Sequence, residues 1–376
     1  MFCVAFVIPC FNERDWIGST LASLQASMKY TVLQKNQVHV VLVVNQPKHA
    51  SKDDLKNNQD TLDYLYIFKE HSNFTVHILH EEQALLHGVG QARKIGMDYA
   101  CHHILNNGPK SYVVSLDADT CIDANYIHQL QQLPAQQVWT SYFEHPTLQL
   151  NHTEEDYKIR SYELYLRYLA QGLKYANSKF SYIPIGSAFG LSKQLYLKSG
   201  GMVEKDATED FHYLNKLRKI SPIAYLPQLK VKPAPRKSNR VYLGTGFFLA
   251  QKNQTVWLPK LKAFTELKCL LNQIQCFWHT QSLSMQDHLN DKQLELVKKL
   301  EIKLNKQLQN CKSEQSFTKR IPQSFDALEQ IRFLKLSFHQ ESKSLNEKLL
   351  NHACKLMDIE NYGLKQVLNF YRKLKY

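Results

Sequence analysis

Residues 111–120 read SYVVSLDADT, a continuous apolar run followed by two carboxylates one residue apart. A run without polar alternation suits a strand covered on both faces, which is how parallel strands are buried. Three such runs precede it: CVAFVIP (3–9), VHVVLVVN (38–45) and FTVHIL (74–79). Helical patterns lie between them, with NERDWIGSTLASL (12–24) after the first and GVGQARKIGMDYACHHIL (88–105) after the third. This alternation predicts an α/β, Rossmann-like fold with a mostly parallel central sheet and helices on both faces.

The 376 residues include 47 Lys and Arg against 34 Asp and Glu, a net +13, and 44% are hydrophobic. That apolar fraction excludes a disordered chain, and 13 glycines with 12 prolines exclude a collagen-like one. The positive balance predicts an anionic partner, but no nucleic-acid-binding motif accompanies it, so nucleic acid is not expected. The opening MFCVAFVIPC lacks the basic start and small-residue cleavage site of a secretory leader. No run approaches the roughly 18 apolar residues of a membrane span. The eight cysteines form no CxxC pair, and a chain this long needs no disulfides for its core, which predicts free thiols in a cytoplasmic protein.

From about residue 260 the strand signals fade. Leu289, Leu296, Val297, Leu300, Leu304 and Leu308 recur at helical spacing among lysines, and a further helical pattern fills 345–374. The sequence thus predicts an α/β domain over 1–255 and an α-helical C-terminal module over 256–376. The module's lysine-studded helices can make peripheral contact with an anionic membrane or pack on protein. Packing is the commoner use of an apolar stripe.

Open α/β sheets bind ligands beyond the C-terminal ends of their strands. The first strand ends at Pro9, followed by Asn12 and Glu13. Asn12 suits a helix N-cap, and Glu13 suits the positive end of a helix dipole or a hydrogen bond from a ribose or base. The second strand ends at Asn45. After the fourth, Asp117 and Asp119 repel each other unless a cation intervenes. Mg2+ or Mn2+, hard ions that prefer oxygen, would bridge them to a diphosphate. A loop turning on Asp and Thr hydrogen bonds would use the same residues. DxDxT is also the nucleophile motif of haloacid-dehalogenase-like phosphatases, but there it closes the first strand, whereas here three strands precede it. Further on, GSAFG (186–190) and a Gly200–Gly201 turn lead to ATEDFH (207–212), where Thr208 is placed to cap a helix with Glu209 and Asp210 in its first turn.

In this order, VIPCFNE (7–13), GVGQARKIGMDYA (88–100), SLDADT (115–120), GSAFGLSKQLYLKSGG (186–201) and ATEDFHYLNKL (207–217) resemble glycosyltransferase family 2, inverting nucleotide-sugar enzymes of the GT-A fold. The resemblance covers about residues 2–250. It implies a UDP-sugar or other NDP-sugar donor, a glycan or lipid-linked acceptor, and Mn2+ or Mg2+ as cofactor. Asp117 and Asp119 would hold the metal and diphosphate, and Asp210, with Glu209 beside it, would deprotonate the acceptor hydroxyl. Pro9, Asn12, Glu13, Asn45 and Arg93 would surround the nucleotide. Arg236 and Arg240, in the basic stretch after the base, would be auxiliary diphosphate contacts. Many relatives carry a DDGS-like run where Asn45-Gln46-Pro47 stands, which leaves the nucleotide base open. An Arg-Asn pair is replaced by Arg93-Lys94, and no QxxRW motif of the processive, membrane-embedded synthases occurs. A non-processive enzyme is therefore expected.

Tyr157, Tyr162, Tyr165, Tyr168 and Tyr175 share one helical stretch, as a packing face or as a wall for an acceptor sugar. His212 follows Asp210 closely, but the histidines show no HExxH or HxH pairing. Two other classes draw on the same residues. One is a non-catalytic binding protein working through its basic helices. The other is a nucleotidyltransferase, which expects a glycine-rich basic loop where PCFNERD stands.

Overall fold

The protein is described here by a computed structural model covering residues 2–146, 153–237, 245–250, 257–285, 289–337, 345–360 and 363–376. The chain runs β1 (Cys3–Cys10), α1 (Arg14–Met28), β2 (Val38–Val44), α2 (Lys52–Glu70), β3 (Thr75–His80), α3 (Gly88–Tyr99), β4 (Ser111–Ser115), β5 (Thr120–Ile122), α4 (Tyr126–Gln131) and β6 (Val138–Phe143). It continues with α5 (Thr153–Tyr175), β7 (Phe189–Ser192), α6 (Lys193–Lys198), α7 (Glu209–Arg218), β8 (Ile223–Pro233) and α8 (Thr245–Ala250). The C-terminal helices are α9 (Leu261–Thr280), α10 (Asp291–Gln309), α11 (Glu314–Ser324), α12 (Ala327–Leu336), α13 (Leu345–Met357) and α14 (Leu364–Arg372).

One eight-stranded sheet has the order β3-β2-β1-β4-β7-β6-β8-β5. The apolar runs of the N-terminal half pair in parallel, β3 on β2, β2 on β1 and β1 on β4. Val4 to Ile8 of β1 are completely buried, as a strand covered on both faces requires. The second half is mixed. β7 runs antiparallel to both β4 and β6, β5 runs antiparallel to β8, and β6 and β8 are parallel. β2 and β4 flank β1 on opposite sides, so the crevice between the ends of β1 and β4 is a topological switch point, where such sheets bind ligands. β1 continues one residue past Pro9, because Cys10 still pairs with Val44.

The chain divides into two compact units, Met1–Thr153 with Pro184–Ala250, and Glu154–Ile183 with Gln251–Tyr376. A single boundary at 255 therefore misses α5, which groups with the C-terminal helices. The packing face of α5 is the reason. The Tyr168 hydroxyl donates to the Pro259 carbonyl at 2.5 Å, and its ring meets Phe264 edge-on at 5.6 Å. Gly172 lets the same Phe264 approach so closely that a Cβ would stand 2.1 Å from its ring. The tyrosine face is thus partly core, with Tyr168 buried and Tyr157 and Tyr175 exposed. All eight cysteines are free thiols, and among the described residues no helix is long and apolar enough to cross a membrane.

Candidate active site

Gly96 sets the position of α3. A Cβ there would lie 2.4 Å from Val7 and 2.9 Å from Val43, so the helix lies closely on β1 and β2. Arg93, one turn earlier, is thereby brought to the end of β4, where it is 2% exposed. Its guanidinium donates to Ser115 Oγ at 2.6 Å, to Glu209 Oε1 at 3.0 Å and to Asp117 Oδ1. Gly186 leaves room for it, since a Cβ there would fall 2.4 Å from Arg93 Nη2. Burial lowers the proton affinity of this guanidinium, but the charges of Asp117 and Glu209 outweigh burial and hold it protonated. Arg93 is a buried bracket joining the end of β4 to the start of α7.

A second bracket stands beside it. Arg236 donates from Nε to Asp119 Oδ2 and from Nη2 to Glu13 Oε1, both at 2.5 Å, with its guanidinium carbon 5.5 Å from the centre of the Trp16 ring. Glu13 takes the N-cap position of α1 without making a side-chain capping bond. Asn12 is therefore not the cap. It adopts a left-handed φ of 57° and donates from Nδ2 to Asp54 Oδ1 at 2.8 Å. Burial is the main cause that raises the Asp119 carboxyl to about 6. Arg236 opposes the rise, and the negative charges of Asp117 and Glu13 add to it.

Glu209 and Asp210 open α7, as the sequence predicts, and Thr208 takes the N-cap position, but its side chain makes no capping bond. Thr208 has a φ of 59°, and its hydroxyl donates to the Ala207 carbonyl at 2.6 Å. Gly200 and Gly201 both take positive φ at the expected turn. Glu209 is bound to Arg93, whereas the Asp210 carboxylate accepts the Phe211 amide at 2.6 Å and makes no ion pair among the described residues. The Asp210 carboxyl is pushed up to about 7, first by burial and then by the charge of Glu209, with Asp117 adding to both. The Phe211 amide and Arg93 act in the opposite direction.

The structure therefore brings Glu13, Arg93, Asp117, Asp119, Glu209, Asp210 and Arg236 to one crevice. Asn45 is buried at the neighbouring strand end, where its carbonyl accepts Asn58 Nδ2 at 2.9 Å, and Asn58 Oδ1 accepts the Asn12 amide at 2.9 Å. Asn58 thus ties the ends of β1 and β2 together, and no local pattern in the sequence marks it. Ser115 was legible in principle, being a hydroxyl inside an apolar run. Arg240 lies outside the described residues. His212 Nε2 lies 3.3 Å from the Lys205 ammonium.

The donor set at Asp117 and Asp119 is oxygen only, which suits a hard divalent ion. Among the described residues no group of three or more His, Cys, Asp or Glu could hold a metal, so an ion here would need further ligands from a diphosphate or water. The charges favour such an ion. Five carboxylates (Glu13, Asp117, Asp119, Glu209, Asp210) face two guanidiniums (Arg93, Arg236), and the neighbouring negative charges add to the rise that burial chiefly causes in the Asp119 and Asp210 carboxyls.

The family model "Glycosyl transferase family 2" matches residues 5–141. No curated protein matches the chain. Among solved structures, S. aureus TarS 1–349 is similar at 13% identity and a TM-score of 0.41, over 86% of this chain and 91% of that one. The same TarS fragment in complex with UDP-GlcNAc is similar at 12% identity and the same TM-score of 0.41, with the same coverage of 86% and 91%. The matched stretch runs from β1 into β6 and takes in Glu13, Arg93, Asp117 and Asp119, so this half of the crevice carries the sequence pattern of glycosyl transferase family 2.

Proposed function

We propose that the protein is a nucleotide-sugar-dependent glycosyltransferase that passes a sugar from a UDP-sugar or other NDP-sugar to an acceptor hydroxyl in one inverting, non-processive displacement. The observation that carries this reading is the division of roles among the carboxylates. Arg93 and Arg236 hold four of them in place, while Asp210 has no guanidinium and titrates near neutrality, as a general base at physiological pH should. The family match over residues 5–141 supports the donor side of the crevice.

In this reading Asp210 accepts the proton of the acceptor hydroxyl as that oxygen attacks the anomeric carbon. The bond to the nucleoside diphosphate breaks on the opposite face, so no covalent intermediate forms and the centre inverts. Arg93 holds Asp117 and Glu209 at fixed separation, which keeps the donor side and the base side of the reaction in register. Asp117 and Asp119 would hold Mn2+ or Mg2+ together with the diphosphate, and the ion would supply charge neutralisation to the leaving group. The acceptor is a glycan or a lipid-linked acceptor, in polysaccharide, lipopolysaccharide or other glycoconjugate synthesis. A cytoplasmic enzyme, with its basic helices resting on an anionic membrane surface, fits the net +13 charge.

A thermal-shift panel of UDP-, GDP-, ADP- and dTDP-sugars with Mn2+ tests the reading, because a ligand that binds only the folded state raises its melting temperature. At least one nucleotide sugar should raise it in the presence of Mn2+. A panel in which none does would overturn the assignment.

A further inference from the structure

Arg236 reaches Asp119 through a backbone arrangement built for that contact. Antiparallel pairing sets Thr120 of β5 opposite Pro233 of β8, so the chain leaving β8 passes Asp119. The Ala234 amide then donates to the Asp119 carbonyl at 3.0 Å, and the Arg236 amide donates to the Ala234 carbonyl at 2.9 Å. The short turn returns the guanidinium to the side chain of the same aspartate, and Glu13 takes its other edge. The Arg236 side chain keeps 20% of its surface exposed, against 13% for Asp119 and 6% for Glu13, so it is the most accessible member of the trio.

A carboxylate oxygen that accepts a guanidinium N–H cannot offer the same lone pair to a divalent ion at about 2.1 Å, and the two cations repel each other. We infer that Arg236 is the resident cation of Asp119 and Glu13, exchanged for the divalent ion only when that ion arrives with a diphosphate. The diphosphate gives the released guanidinium a bidentate anionic acceptor to replace the carboxylates. The ion alone offers none, so taking Oδ2 from Arg236 would go uncompensated. Arg236 thereby makes metal and nucleotide binding interdependent, and such coupling is reciprocal. The inference rests on Asp119 as a metal ligand, as proposed above, and adds that the unliganded site binds the bare ion only weakly.

Free Mn2+ followed by electron paramagnetic resonance during titration, with and without UDP, tests this without any turnover. Wild type should bind Mn2+ weakly alone and much more tightly with UDP. Arg236→Gln should bind Mn2+ alone about tenfold more tightly or better, and the gain from UDP should shrink, since the guanidinium serves neither state. Arg236→Lys, which keeps the charge but cannot span both carboxylates, should fall between, and it carries the test if the glutamine variant melts early. If both variants bind bare Mn2+ no more tightly than wild type while Asp119→Asn abolishes Mn2+ binding with UDP, Arg236 is structural and the exchange is wrong. If Asp119→Asn leaves Mn2+ binding with UDP intact, the metal assignment itself fails and the exchange falls with it.

Discussion

Two arginine–carboxylate clusters, one in each compact unit, show how the same chemistry serves different ends. In the helical unit, Glu163 is fully buried and meets two guanidiniums. Arg372 grips it bidentately, Nε to Oε1 at 2.8 Å and Nη2 to Oε2 at 2.9 Å, and Arg167 adds its own contact from one turn further along α5 at 3.1 Å. Nearby, the Lys375 carbonyl accepts Gln171 and Lys174, so the C-terminal end is fixed to α5 as well. In the α/β unit the carboxylates outnumber the guanidiniums, Asp117 keeps about a third of its side-chain surface exposed, and two of the acids titrate far above their usual range. A cluster whose cations suffice is a structural rivet. A cluster with surplus anionic charge and open edges is ready for a cation and a proton.

Removing Glu163 tests the structural side and should give the largest effect. Glu163→Ala removes the buried carboxylate that Arg167 and Arg372 share, and loss of one partner of a buried pair costs about 3–5 kcal/mol. Urea unfolding should show that loss, and nucleotide affinity of the folded fraction should be unchanged. A loss below about 1 kcal/mol, the range of an exposed pair, would mean that the cluster is not a rivet.

The catalytic side is tested by Asp210→Asn, which keeps the shape but cannot take the proton. Turnover should fall roughly 10²-fold or more, with donor affinity within a few fold of wild type. The wild-type pH profile should agree. A base is active when deprotonated, so kcat/KM should rise with pH through about 7 and level off above it, falling about tenfold per unit on the acid side. Near-wild-type turnover in the variant, or a flat wild-type profile, would remove Asp210 from the chemistry.

These two clusters were not equally legible. The strand ends could be read because a doubly covered parallel strand is a continuous apolar run, and the acids that follow it mark the crevice. Asp117 and Asp119 are legible that way, whereas Glu209 and Asp210 are legible as acids in the first turn of a helix after a glycine turn. The helix caps are less legible for a physical reason. Asn12 and Thr208 have capping side chains, but both stand in left-handed backbone and bond elsewhere, and the carboxylate at the N-cap of α1 is engaged by Arg236, 223 residues away. The antiparallel placement of β7 and the grouping of α5 with the C-terminal helices were hidden for a related reason. A helix stripe or short strand shows that one face is buried and not what buries it. Arg93 was expected to line the nucleotide pocket. Its contacts with Ser115, Asp117 and Glu209 show a residue turned inward, and that direction follows from Gly96 and Gly186, whose small size is explained only by what packs against them.

Glu209→Gln should have the smallest effect and separates the two acids of α7. Arg93 would keep Asp117 and Ser115, so the bracket should survive, and turnover at its plateau should stay within about fivefold of wild type. The pH profile is the sharper readout. The charge of Glu209 is one of the forces that raise Asp210, and Arg93 is one that lowers it. Neutralising Glu209 removes the first and leaves more of the guanidinium's field for Asp210, so both changes favour the ionised carboxylate. The acid limb of kcat/KM should therefore move to lower pH, and the variant should outperform wild type relative to its own plateau at pH 6. An acid limb that stays in place would show that Glu209 does not tune the base. If Glu209→Gln instead abolished turnover and Asp210→Asn spared it, the proton would go to Glu209, and Arg93, bound to that carboxylate at 3.0 Å, would become the residue that sets its basicity.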